Sequence, residues 1–174
     1  MKDIIKKRLM FVTAEDFYLI AYSIIVILDC LDCKKNRKFK DYRKLPFIIE
    51  IINNNMHLNI LELSENRTLH KADKEYLFQS YVNGLSKRSE ILKILFTLEK
   101  RGYVSLYQSN SESAIDTILN KEALPENFLS KGVFGGEYLN CTRFKKVIQR
   151  CTSISLNTFL EKTYQNRGMK TWDI

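Results

Sequence analysis

The sequence SKRSEILKILFTLEKRGYVSLYQ, residues 86–108, carries the strongest structural pattern in the chain. Its first part repeats apolar side chains at helical spacing, namely Ile91, Leu92, Leu95, Phe96 and Leu98. Gly102 is placed to end this helix, because glycine adopts the left-handed backbone of a helix terminus without strain. Residues 103–108 then alternate apolar with polar side chains, as a half-buried strand does. The segment predicts a helix followed directly by a strand.

The flanking residues extend this pattern on both sides. Upstream, residues 73–82 predict a short helix, which the pair Asn83-Gly84 closes with a left-handed turn. Downstream, the polar residues 109–113 predict a turn or wing before a return strand at 115–119. Helix, helix, strand, wing and strand is the order of a winged-helix module, a relative of the helix-turn-helix. We therefore predict a winged-helix-like segment over about residues 72–120.

In such a module the recognition helix would span Ser89 to Arg101. Its polar side carries Lys93, and Lys87 and Arg88 stand at its start. Side chains that read base edges are usually Arg, Asn or Gln near the helix N-terminus. The residues on this face therefore favour contact with phosphates, or docking to a protein, over recognition of a base sequence.

The rest of the chain is predicted to be mainly helical. With only 6 Gly and 2 Pro in 174 residues, an all-β architecture with its many turns is disfavoured. The fold class is thus mainly α with a small β-wing, in a single winged-helix-like domain of residues 1–174 with C-terminal helices over about 125–168. The predicted helices span residues 14–33, 45–52, 125–131, 140–150 and 155–167. Thr13 and Asp16 would cap the first of them. A flexible break is predicted at 132–136, and residues 56–69 are left unassigned.

Composition and charge limit the classes of function. The apolar share is 45% and the charged share 28%, which are ordinary values for a globular protein. We find neither a secretory leader nor an apolar run of about 20 residues, so a cytoplasmic protein with reduced cysteines and no membrane contact is expected. The net charge of +8 favours polyanionic partners, nucleic acid first, with an acidic protein as the alternative.

The strongest run of charge is residues 34–44, KKNRKFKDYRK, in which one acid opposes seven bases. Basic side chains can grip phosphates while an interleaved aromatic ring packs on a sugar, a base or a partner. We therefore predict a binding surface here, although an acidic protein partner and a merely solvated loop remain alternatives. The predicted DNA contacts of this run are Lys34, Lys35, Arg37, Lys38, Lys40 and Arg43, and its predicted partner contacts are Phe39 and Tyr42.

Catalytic and metal-binding motifs are weak. Cys30 and Cys33 have the spacing of half a zinc site, but a second pair at the usual spacing is missing, so core thiols are favoured. His57 and His70 lie in unrelated segments, without a nucleophile elbow beside them. The glycines at 132–136 lack the following Lys-Ser or Lys-Thr of a phosphate-binding loop. We expect no enzyme activity, no cofactor and no metal.

Three segments carry a family resemblance: residues 39–45 (FKDYRKL), residues 88–106 (RSEILKILFTLEKRGYVSL), and the C-terminal region 158–172. Through them the chain resembles the LmuC- or DdmB-like middle component of bacterial three-component ABC-ATPase systems of the Lamassu type. The resemblance implies a non-catalytic adaptor that bridges an SMC-like or Rad50-like ATPase dimer and a nuclease effector in antiviral or anti-plasmid defence. Double-stranded DNA would be a further partner of that assembly.

Two other functions fit the same pattern. A stand-alone winged-helix transcriptional regulator would bind DNA as a homodimer, and a plasmid or phage replication accessory protein would share the basic surface. Trp172, the only tryptophan, lies beyond the last predicted helix and its Gly168 cap. It is expected either to fold back on the core or to insert into a partner.

Overall fold

The computed structural model describes the backbone of residues 2–110 and 113–172 and the side chains of residues 16–110, 113–130 and 132–172. Within these residues the protein is mainly helical, with one antiparallel β-hairpin, which confirms the predicted mainly α class with a small β element. The elements are α1 (Lys2–Cys30), α2 (Leu45–Ile52), α3 (Asn55–Leu63), α4 (Lys71–Lys100), β1 (Val104–Gln108), β2 (Ile115–Leu119), α5 (Lys131–Val147) and α6 (Leu156–Thr163).

Helix α4 is continuous for 30 residues, so the predicted turn at Asn83-Gly84 is wrong. Gly84 is buried inside the helix, where α2 crosses it, and the Phe47 ring packs directly against its backbone. A Cβ atom at position 84 would lie 2.5 Å from Cδ1 of Phe47. The glycine therefore permits a close helix crossing and does not end a helix. Without that turn, the winged-helix arrangement over residues 72–120 is not confirmed.

The end of α4 and the hairpin follow the sequence prediction closely. Gly102 has a φ of 79°, and the Tyr103 amide donates to the Leu98 carbonyl at 3.0 Å. These are the features of a Schellman terminus, which caps the last carbonyls of the helix. Strand β1 then pairs antiparallel with β2, with Val104 opposite Leu119 and Gln108 opposite Ile115.

Several other elements differ from the sequence prediction. Helix α1 already begins at Lys2, so Thr13 does not cap it, and it ends at Cys30, just before Asp32 takes a φ of 57°. Helix α3 occupies part of the segment left unassigned. Turns replace the short helix predicted at 125–131. The glycines at 132–136 lie within α5, whose only break from helical geometry there is a kink at Phe134.

The core is a contiguous cluster of buried side chains contributed by α1 to α6 and the hairpin. Helix α2 is its centre, because seven of its eight residues are buried. Pro46 lies in the first turn of α2, where its missing amide disrupts no helical hydrogen bond. None of the described helices combines the length and apolar character that crossing a bilayer requires.

Candidate nucleic-acid interface

The basic run 34–44 is fastened to the outer edge of β2, the edge that β1 leaves unpaired. The Leu119 amide donates to the Cys33 carbonyl at 2.8 Å, and Phe39 and Thr117 exchange two backbone hydrogen bonds of 2.8 and 2.9 Å. These contacts hold both ends of the loop between Cys33 and Phe39. The loop is therefore supported by the sheet, and its bases have a defined position.

Four bases of this run are exposed: Lys35, Arg37, Lys38 and Lys40, which we call the basic edge. Between positions 35 and 40 the sequence contains no acid. Arg37 lies 3.7 Å from Asp32, but both side chains are more than half exposed, so this pair is weak. The basic edge thus presents a cluster of positive charge that is largely uncompensated.

Two other predicted DNA contacts of the run have structural partners. Arg43 donates two hydrogen bonds to the Asp41 carboxylate, at 2.8 and 2.7 Å, and a third to Ser113 at 3.0 Å. The hydrogen bonds that Arg43 donates to Asp41 raise the pKa of Arg43. Lys34 is half-buried and pairs with Asp29 at 3.1 Å. Arg43 and Lys34 therefore hold parts of the fold together, and their side chains are only partly exposed to solvent.

The two predicted partner contacts of the run are core residues. Phe39 has no exposed surface, and Tyr42 is only 8% exposed. The prediction that they bind a partner is wrong for this structure, because neither ring reaches the surface. Around the Phe39 bridge to β2 the side chains alternate, since Lys38 and Lys40 are exposed and Phe39 is buried between them.

Lys44, the last base of the run, is fully buried. Its Nζ donates to the carbonyls of Cys151 and Ile154 at 2.6 and 2.8 Å and lies 4.8 Å from the centroid of the Phe39 ring. Burial lowers the pKa of Lys44 to about 8. This lysine joins the basic run to residues 151–154 and is unavailable to a ligand.

The predicted contacts on α4 differ in their surroundings. Lys87 is bound to Glu50 of α2 at 2.6 Å. Arg88 is half-buried, and its pKa is lowered by burial and by the nearby charge of Arg43. Lys93 is exposed. Because α4 is one continuous helix that packs against α2, the segment with these three bases is not a separate recognition helix.

A pocket of about 550 Å³ opens beside the basic edge, and we call it the basic pocket. Tyr107 of β1 and Ile118 of β2 lie on the same face of the hairpin, since their strand partners are Asp116 and Ser105. Three lysines and one glutamate line the pocket together with these side chains. The lining residues are Lys34, Lys35, Gly102, Tyr107, Ile118, Leu119, Asn120, Lys121, Glu122 and Ala123.

The Tyr107 ring connects the basic edge with this pocket. Lys38 Nζ lies 4.4 Å from the centroid of the ring, a cation–π contact. The ring is still 43% exposed. Tyr107 lines the pocket, whereas Lys38 is not one of its lining residues.

Asp29, at the end of α1, holds two lysines of the pocket in place. Its Oδ1 atom lies 3.1 Å from Lys34 Nζ and 3.0 Å from Lys121 Nζ, while the Tyr138 hydroxyl donates to Oδ2. Burial raises the pKa of Asp29, but the hydrogen bonds from Tyr138, Lys121 and Lys34 outweigh it, and the pKa lies below its usual value. Lys34 Nζ also lies 3.4 Å from Asp32 Oδ1, so Asp29 and Asp32 together fix the two lysines and offset much of their charge.

The sequence prediction missed Tyr107, Ile118 and Lys121. Tyr107 and Ile118 were predicted to lie in strands, but alternation alone does not say which strand face stays open. Lys121 is an isolated base after β2, and its approach to Asp29 depends on how α1 packs beside the hairpin. The exposed Lys100 and Arg101, directly before Gly102, add further positive charge close to the pocket.

The cysteines are all free thiols, and their positions do not favour a zinc site at Cys30 and Cys33. Cys30 is half-buried beside Cys141 of α5, whose hydrogen bond lowers the pKa of Cys30 to about 7. Cys33 is buried, which raises its pKa to about 12. Among the residues described, we find no group of three or more His, Cys, Asp or Glu side chains arranged to hold a metal ion.

Trp172 folds back on the protein. Its ring stacks on Tyr81 of α4, with 5.5 Å between ring centroids, and lies 6.0 Å from Phe78. The Trp172 amide donates to the Tyr81 hydroxyl at 2.9 Å. The Trp172 residue is still 60% exposed, so the outer part of the ring remains accessible to a partner.

Comparisons of the chain with protein-family models, with curated proteins and with solved structures found no match.

Proposed function

We propose that this protein is a non-catalytic subunit that binds the phosphate backbone of nucleic acid through the basic edge and works within a larger assembly. The observation that carries the proposal is the placement of Lys35, Arg37 and Lys38 on a loop that β2 holds at both ends, with Lys40 directly after it. Bases on a supported loop lose less conformational freedom when they bind phosphates than bases on a free loop. The net charge of +8 acts in the same direction, since it attracts polyanions over long range.

The adaptor part of the proposal has support on a different part of the surface. Large apolar side chains on α1 and α5 are exposed by 50 to 69%, a degree typical of contact residues when they occur close together. They are Tyr18, Leu19, Val133 and Leu139. Helices α1 and α5 pack against each other, so these side chains belong to neighbouring elements. Exposed apolar side chains on two helices that pack together, apart from the basic edge, fit an adaptor.

The assembly we propose is the one that the family resemblance implies: an SMC-like or Rad50-like ATPase dimer and a nuclease effector in a defence system. The resemblance carries this part of the proposal. The alternative of a stand-alone winged-helix regulator has less support, because α4 lacks the turn that would separate a recognition helix. Copurification from the native host, with partners identified by mass spectrometry, distinguishes the two.

Charge reversal of the whole basic edge tests the binding function. The variant Lys35→Glu, Arg37→Glu, Lys38→Glu and Lys40→Glu should bind duplex DNA more weakly and with a shallower salt dependence. Each lost phosphate contact removes about 0.9 from the slope of log affinity against log salt, so the slope should fall by up to about 3.6. Fluorescence anisotropy at several salt concentrations measures both quantities.

The matched control reverses four exposed lysines that do not line the basic pocket, Lys71, Lys146, Lys162 and Lys170, and so changes the net charge equally. It should lose less affinity and keep most of the slope. If both variants lose the same affinity and slope, net charge alone drives binding, and the proposal that the basic edge is the site fails.

A further inference from the structure

We infer that the basic pocket accepts one unpaired base of a single-stranded nucleic acid, which stacks against Tyr107 while the neighbouring phosphates lie on the lysines at the rim. The inference deepens the proposed function and depends on it, because the same polyanion would bind to the basic edge and enter the pocket beside it. It adds the class of ligand: a strand with at least one unpaired nucleotide.

The shape and chemistry of the pocket fit a base. Its volume of about 550 Å³ lies within the range of roughly 300–1,000 Å³ that is typical of small-molecule sites. Ile118 gives it an apolar floor, and Tyr107 provides an aromatic wall. Asn120 already donates to the Gly102 carbonyl at 2.9 Å, so its amide is fixed in place beside the pocket. An apolar, aromatic and partly polar lining is what a nucleobase requires.

The Tyr107 side chain is exposed and packs on the outer face of the hairpin. It stands on the hairpin face away from Val104 and Leu119, which belong to the core. Lys38 lies over the ring at 4.4 Å and limits its movement. A tyrosine held in this way is a preformed stacking platform, since every base has a π-face that can lie on an aromatic ring.

The charges beside the pocket favour a phosphodiester. Lys35 is exposed and belongs to both the basic edge and the pocket. Lys34 and Lys121 are held at fixed positions by Asp29, and Lys34 also by Asp32 at 3.4 Å. A strand that places a base on Tyr107 would therefore have lysines within reach of the phosphates on either side of that base.

Duplex DNA does not satisfy this site, because its bases are paired and stacked and present only their edges in the grooves. Stacking on a protein side chain requires a base that is unpaired and free to turn outward. The basic edge, in contrast, contacts only phosphates and accepts either kind of strand. The two surfaces therefore make separable contributions to binding.

The test compares three fluorescent ligands of equal length: an oligothymidylate, an abasic oligomer with the same phosphates, and a duplex. The wild-type protein should bind the oligothymidylate more tightly than the abasic oligomer. Tyr107→Ala should weaken oligothymidylate binding by about 5- to 100-fold and leave the abasic oligomer and the duplex nearly unchanged. Tyr107→Phe, which keeps the ring, should retain the preference for bases.

A photocrosslinking experiment gives a second readout that needs no variant. Oligonucleotides with 5-iodouracil crosslink to an aromatic side chain that stacks on the base, and mass spectrometry should locate the crosslink at Tyr107. A crosslink elsewhere only, or wild-type affinities that are equal for oligothymidylate and abasic oligomer, would overturn the inference and leave the basic edge intact. Absence of binding to all three ligands would instead overturn the proposed function itself.

Discussion

Replacing Gly84 by alanine tests the close crossing of α2 and α4. The added Cβ would lie 2.5, 3.0 and 3.2 Å from Cδ1, Cε1 and Cγ of Phe47, much closer than carbon atoms pack without strain. Phe47 has little room to withdraw, because it is fully buried and its ring stacks on Tyr81 with 5.6 Å between centroids. The substitution must therefore displace either a packed ring or a helix.

The expected change in the free energy of unfolding is the difference between two opposing effects. Overpacking a filled core costs about 1–3 kcal/mol, while alanine in a helix interior is about 0.5–1 kcal/mol better than glycine. We expect Gly84→Ala to lower the free energy of unfolding by about 0.5–2 kcal/mol and the melting temperature by roughly 2–6 °C. Thermal unfolding followed by circular dichroism at 222 nm measures it.

Gly136→Ala is the matched control, since Gly136 is an exposed glycine of α5 and a Cβ there meets nothing within 4 Å. It should raise stability by about 0.5–1 kcal/mol. In a Phe47→Leu background, Gly84→Ala should lower the free energy of unfolding much less, because the ring atoms that clash with the new Cβ are absent. If Gly84→Ala stabilises the protein as Gly136→Ala does, the two helices are not in contact at this point, and the reasoning is refuted.

Two further predictions concern buried and stacked groups. The lowered pKa of Lys44, about 8 against 10.5 when unfolded, means that the unfolded chain binds more protons between these pH values. The stability of the wild type relative to Lys44→Met should therefore rise by up to about 3 kcal/mol from pH 8 to 10.5, and a flat difference would contradict the burial of its charge. Trp172→Ala should cost about 0.5–1.5 kcal/mol through the lost stacking on Tyr81, and, since Trp172 is the only tryptophan, Tyr81→Leu should shift its fluorescence emission. An unchanged spectrum would mean that Trp172 does not rest on α4.

The basic edge and the basic pocket differ in how far the sequence predicts them. The run 34–44 is evident from its charge, and four of its bases are exposed as a binding surface requires. The burial of Phe39 and Lys44 was not predictable, because it depends on which side of the loop faces β2 and residues 151–154. The pocket was missed because Tyr107 and Lys121 of the hairpin region meet Asp29 and Lys34, which are more than 70 residues earlier in the chain.

The sequence alone determined the mainly helical class, the helix that ends at Gly102, and the hairpin that follows it. These features depend on the spacing of apolar residues and on the backbone preference of glycine, which act over a few neighbouring residues. Only the tertiary structure decided that Gly84 lies inside a helix and that Tyr107 stands beside Lys38. Both result from elements that meet in space, where the fit of Phe47 against α4 outweighs the local tendency of Asn83-Gly84 to form a turn.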